Sequence, residues 1–144
     1  TNGISSNFHG DLHMENICMN KKKITLLDWR EDFSGLTEYG DIYYDLAKIN
    51  HGFIIDHKII KNSKYSINIG KSKTYFKFHQ ETKNKKFQYI FYDFLKKNNF
   101  SKEKVNILTS LIYLNISPLH HYPYSFFLYY LGKYSLYKTL IKND

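Results

Sequence analysis

Apolar residues follow two different spacings along this chain. Two short β-prone runs, 17–19 and 24–27, flank the polar turn Asn20-Lys21-Lys22-Lys23, which predicts a small hairpin. After Gly40, the residues Ile42, Leu46, Ile49 and Phe53 recur every three or four positions. That period predicts an amphipathic helix over about 41–55, with Asp41 placed favourably near its positive end. Over 65–78 the alternation returns around a turn containing Gly70, predicting a second hairpin or an irregular loop. From Glu81 onward the helical period takes over. Phe87, Ile90, Phe91, Phe94 and Leu95 fit one helix, 105–116 a second that Ser101 can cap, and 123–141 a third. Aromatic stripes at this spacing are expected to be core. The expected class is α+β, mainly α, in one domain over 1–144. Residues 1–56 hold loops, a hairpin and a helix, and 57–144 form a mainly helical part.

Composition narrows the class. The chain has 144 residues, 42% hydrophobic and 24% charged, and a chain of this size buries roughly 68–70% of the surface its unfolded form exposes. Its single cysteine, Cys18, excludes a disulfide framework and fits a reducing compartment, so the cytoplasm is the expected location. The longest apolar run, 126–131, is far short of the roughly 18 residues that a membrane span needs, and no signal peptide is visible. Because the chain begins at Thr1 and not at methionine, it reads as a piece of something longer.

The net charge of +8 invites a nucleic-acid reading, yet the basic residues are 20 lysines and one arginine, Arg30. Arginine is the residue that reads bases and clamps phosphates with two parallel bonds, so no nucleic-acid partner is expected. The distribution of charge says more. Residues 1–56 carry nine acids against five bases, whereas 57–144 carry four acids against sixteen lysines. Carboxylates gathered in one part of a basic protein point to a divalent-cation site.

The acids fall in a recognisable arrangement. Phe8-His9-Gly10-Asp11-Leu12-His13-Met14-Glu15-Asn16 is followed twelve residues later by Asp28-Trp29-Arg30. Asp11 and Asn16 stand five apart, as in the loop H-x-D-x-x-x-x-N of phosphoryl-transfer enzymes, and Asp28 ends a β-prone run as a metal-holding aspartate does there. Such reactions have a loose transition state, so the protein chiefly positions groups. A carboxylate is needed to orient the acceptor hydroxyl and take its proton, which is the role expected of Asp11. An amide oxygen and a second carboxylate are hard ligands suited to Mg²⁺ bridging nucleotide phosphates, the role expected of Asn16 and Asp28.

Taken together, His9-Gly10-Asp11-Leu12-His13-x-x-Asn16-Ile17, Leu27-Asp28-Trp29 and Gly40-Asp41-x-Tyr43-Tyr44-Asp45-Leu46-Ala47 resemble the aminoglycoside phosphotransferase / choline kinase superfamily. The resemblance covers about residues 8–50 and implies the C-terminal lobe of a protein-kinase-like fold, with the hairpin bearing the metal site. It implies ATP-dependent phosphorylation of a hydroxyl on a small molecule, with ATP as co-substrate and Mg²⁺ as cofactor. Asp11 would be the base, Asn16 and Asp28 the magnesium ligands, His9 a brace for the loop and Asp45 a structural residue of the following helix. The family's glycine-bearing loop and strand lysine have no counterpart before Phe8, so the N-terminal nucleotide-binding lobe is expected to be absent from these residues and to act as the partner of this one.

Electrostatics of the helical part favours a sugar, a sugar phosphate or another neutral or anionic alcohol as acceptor, with an amino alcohol such as choline left open by the many tyrosines. Two other classes stay in view. His9, Asp11, His13 and Asp28 also supply a ligand set for a metal-dependent hydrolase. A kinase-like binding module without turnover is the third. His13, Arg30 and the His120-His121 pair receive no assigned role, the last reading as loop.

Overall fold

The computed structural model describes residues 3–141, apart from the side chain of His57. The first strand, β1 (Ser5–Ser6), crosses the chain to pair antiparallel with β4 (Gly40–Asp41), immediately before helix α1 (Ile42–Ile54). Asp41 makes that junction. Its Oδ1 accepts the N–H of Tyr43, capping α1 at 3.1 Å, and also the N–H of Ile4 at 3.1 Å. Residues 7–11 are thereby laid over the first turns of α1.

Between these partners rises the expected hairpin, β2 (Ile17–Asn20) and β3 (Lys23–Leu26), in the register Ile17 to Leu26 and Asn20 to Lys23. Lys21 takes φ +54° in the turn. The hairpin is largely solvent-exposed, with Met19 and Ile24 open to water. A five-residue helix α2 (His57–Lys61) follows α1, capped by Asp56 through the Ile59 N–H. The second hairpin is regular: β5 (Tyr65–Ile69) pairs with β6 (Thr74–Phe78).

Three long helices complete the chain: α3 (Thr82–Lys97), α4 (Lys102–Ile116) and α5 (Tyr124–Leu140). Ser101 caps α4, its Oγ accepting the Lys104 N–H at 3.1 Å. One core, built on Ile59, Tyr113, Phe127 and Leu128, is covered by the second hairpin through Tyr65, Phe76 and Phe78. The other, Tyr43, Phe53, Phe91, Leu95 and Val105, lies where α1, α3 and α4 meet. Between them Asn50, fully buried, donates to Thr109 Oγ1 at 3.0 Å and accepts from Gln88 Nε2 at 3.2 Å. Each polar group placed there is matched to another, as burial requires.

The coarse class is therefore α+β and mainly helical, with small two-stranded sheets. The expectation that the aromatic stripes are core needs correction. Tyr89, Ile90 and Phe94 on α3, and Phe126, Tyr129, Tyr134 and Tyr137 on α5, are all exposed. These helices carry apolar residues on more than one face, and each has only one face turned to a core. Among the described residues no helix is long and apolar enough to cross a membrane.

Candidate active site

The loop 8–11 is held by α1 from beneath. Asp45, one turn into the helix and 8% exposed, accepts the backbone N–H of His9 at 2.7 Å and of Gly10 at 2.9 Å. Two charge-assisted bonds to consecutive amides fix the peptide plane between them. The His9 side chain, 3% exposed, turns inward. Its Nδ1 accepts the Asp11 N–H at 3.2 Å, its ring lies 4.9 Å from that of Trp29, and its carbonyl accepts the Arg30 N–H at 2.9 Å. His9 thus joins the Asp11 loop to the segment after the hairpin. Gly10 takes φ +78°, and a Cβ there would lie 2.6 Å from the Cβ of Arg30, so both conformation and space demand glycine.

This bracing leaves the Asp11 carboxylate facing three bases. Lys48 Nζ sits 2.7 Å from Oδ1, while Arg30 Nη2 at 3.5 Å and His13 Nε2 at 3.7 Å approach Oδ2. Burial pushes the Asp11 pKa upward, but the Lys48 hydrogen bond and charge, helped by His13 and Arg30, outweigh it and leave the carboxyl below its usual 3.8. Asp11 is ionised at neutral pH. Sequence reasoning misses Lys48, although it stands three residues after Asp45 on α1, the spacing that puts two side chains on one helix face.

Asn16 ends a single 3₁₀ turn, Met14–Asn16, and its Nδ2 donates to the Asp11 carbonyl at 3.0 Å. Its own carbonyl accepts the Leu27 N–H at 2.8 Å, which carries the hairpin ladder one step beyond Ile17 and Leu26. The hairpin therefore brings Asp28 to within one residue of the strand position bonded to Asn16. Asp28 holds φ +57°, and among the described residues its carboxylate has no hydrogen-bond or salt-bridge partner. Asp28 is exposed, so its carboxylate is solvated by water, and aspartate adopts the left-handed region more readily than most residues.

Magnesium fits this pair chemically. The Asn16 amide donates through nitrogen, leaving its oxygen for a cation, and Asp28 supplies an unclaimed carboxylate. Two protein oxygens are a usual complement for magnesium that takes its other ligands from phosphates and water. The transition-metal set is different: among the described residues no three His, Cys, Asp or Glu side chains converge on one point.

A cleft of about 320 Å³ opens beside Asp11, between the 11–15 loop, α1, and the start of α5. Its polar wall is Asp11, His13, Glu15, Lys48, His51 and Asp56, and its apolar wall includes Ile55, Ile60, Ile116, Leu119 and Tyr124. Among the described residues Lys48 is the only lysine lining it. His120, read as loop, is indeed in a loop and lines the cleft rim.

No family model, curated protein or solved structure matches this chain.

Proposed function

We propose that this chain carries the catalytic side of an ATP-dependent phosphotransferase that phosphorylates a hydroxyl of a small molecule, a sugar, sugar phosphate or amino alcohol. The observation that supports it best is the single hydrogen-bonded unit linking Asp11 to Asn16, with Asp28 delivered to the same end by the hairpin. Base and metal ligands are thereby coupled through backbone, as a reaction that depends on positioning requires.

In this reading the acceptor hydroxyl lies in the cleft and donates its proton to Asp11. Lys48, Arg30 and His13 occupy part of the carboxylate, which has about four lone-pair sites, so one remains for the hydroxyl. A carboxyl with a lowered pKa is a weak base. It suffices because in a loose transition state the nucleophile needs orientation more than early deprotonation. Asn16 and Asp28 would hold magnesium, which neutralises charge on the transferring phosphates when bound. Asp45 and His9 position the loop without touching the substrate.

The test is ADP formation from ATP·Mg²⁺ by the full-length protein across a panel of alcohols. Asp11→Asn should lower kcat by about 10²–10⁴ with nucleotide affinity nearly unchanged. Near-normal turnover of that variant removes Asp11 from the mechanism, and zinc-dependent hydrolysis without nucleotide would favour the hydrolase instead.

A further inference from the structure

Helix α5 is apolar on more sides than the core covers. Phe127, Leu128 and Leu131 fill the core from one face. On another, Tyr130, Lys133, Tyr134, Tyr137, Leu140 and Ile141 fall within an arc of roughly 120° at 3.6 residues per turn. Tyr137 is 61% exposed and Leu140 50%, so this stripe faces water.

Positive charge is added from the side. The turn of the second hairpin, 70–74, stands beside the same face, and its Lys71 and Lys73 join Lys133, Tyr134 and Tyr137 around one open depression. Neither 57–80 nor 104–143 contains an aspartate or glutamate. Among the described residues, Lys71, Lys73 and Lys133 have no salt-bridge partner.

We propose that the exposed stripe of α5 and the 70–74 turn form a peripheral docking face for an anionic, phosphatidylserine-bearing membrane surface. The two components of the face match two layers of a leaflet. The lysines meet the anionic headgroups, while Leu140, Ile141 and the tyrosine rings enter the boundary beneath them, where amphipathic aromatics are favoured. Flexible lysine stems keep the ammonium groups at headgroup level as the apolar stripe sinks.

Other occupants fit less well. A second copy packed symmetrically across this face would set its lysines against themselves. A single-stranded nucleic acid needs free ring faces for stacking, but Lys138 lies over the Tyr134 ring at 5.3 Å and Phe76 packs against that ring at 5.8 Å. Lys133 likewise lies over Tyr129 at 5.5 Å. Nucleic acid would also leave Leu140 and Ile141 in water. The catalytic cleft ends at Tyr124, about 20 Å along the helix from Tyr137, so the two sites are separate.

Cosedimentation of the full-length protein with vesicles tests this face and needs no turnover. Phosphatidylcholine vesicles containing about one third phosphatidylserine should bind it at least about tenfold more strongly than phosphatidylcholine alone. Each lysine near an anionic surface contributes roughly fivefold, so Lys71→Gln/Lys73→Gln/Lys133→Gln should lose about a hundredfold. Tyr137→Ser/Leu140→Ser, at two exposed positions, should lose about tenfold with an unchanged melting curve. The matched control Lys21→Gln/Lys22→Gln/Lys23→Gln removes the same charge from the first hairpin and should bind nearly as the parent does. Equal losses in the two lysine triples overturn the proposal, because net charge and not a face is then being read. So does binding that ignores Tyr137→Ser/Leu140→Ser, or a full-length protein that stays in the supernatant. An oligothymidylate bound more tightly than the vesicles, and weakened by the Lys71, Lys73 and Lys133 changes, would make the face a nucleic-acid groove and overturn it as well.

Discussion

Lys48 and Asp11 form an ion pair of 2.7 Å across the candidate site, with side chains only 12% and 13% exposed. Removing the ammonium leaves a largely buried carboxylate with weaker partners, so Lys48→Met should cost about 1–3 kcal/mol in urea unfolding at pH 7. The pH dependence has a defined sign. Because the folded pKa of Asp11 lies below 3.8, its stabilisation is complete above that value and is lost as pH falls through the folded pKa. The gap between wild type and Lys48→Met should therefore narrow under acid conditions. In activity assays the same substitution should move the acid limb of kcat/KM to higher pH, since the carboxyl then titrates at a higher value. An unmoved limb would separate Asp11 from the rate.

Asp45 gives a sharper structural test. The Asp45→Asn change would turn an NH₂ group toward one of the two amides that now donate to a carboxylate, at His9 or Gly10. This substitution should destabilise by about 2–3 kcal/mol in equilibrium unfolding and loosen the Asp11 loop. Hydrogen exchange at the His9 and Gly10 amides reads this directly. Unchanged protection there would mean that Asp45 does not anchor the loop.

His51 predicts an acid weakness of its own. Its pKa is lowered from 6.5 to about 4, so between those values the unfolded chain binds a proton that the folded one refuses. Stability should fall as pH drops through that window, by roughly 3 kcal/mol in all if each unit is worth about 1.4 kcal/mol. His51→Gln cannot titrate and should show a flatter profile from pH 6.5 to 4. Parallel profiles for the two proteins would contradict the burial of the ring.

How far the sequence could be read depends on whether a signal is local. The hairpin at 17–26 is written in adjacent residues, as are the Asp41 and Ser101 caps, and all three appear where the pattern places them. Pairing of β1 with β4 depends on two residues from each partner, too few to leave a periodic trace. The helix α2 is only five residues long and is equally silent. At the site, Asp11, Asn16 and Asp28 carry a spacing, whereas Lys48, His51 and His120 are brought to the cleft by how α1 and the α4–α5 connection pack. Only the i, i+3 relation of Asp45 to Lys48 hints at them. Exposed aromatics on α3 and α5 mislead for the opposite reason, since helical spacing reports a face and not what covers it.

Asp28 and Asn16 should respond in opposite ways to removal, because one is exposed at a positive φ with no protein partner among the described residues while the other is bonded. Asn16→Ala deletes the Nδ2 bond to the Asp11 carbonyl and should cost about 1 kcal/mol. Asp28 sits at φ +57° with its carboxylate engaging no neighbour among the described residues. Glycine tolerates that conformation without a Cβ penalty of roughly 1–2 kcal/mol, so Asp28→Gly should leave stability unchanged or raise it slightly, even after the entropy of glycine in the unfolded chain is counted. An exposed carboxylate that contributes nothing to the fold leaves room for a role in binding. Magnesium is the expected purpose, and in the full-length protein Asp28→Gly should impair Mg²⁺-dependent nucleotide binding more than Asn16→Ala does, since a carboxylate contributes a full charge and an amide only a dipole. Thermal melts and titration with ATP in the presence and absence of Mg²⁺ measure the two halves separately. A destabilised Asp28→Gly with intact magnesium dependence would make Asp28 a structural turn residue and remove it from the metal site.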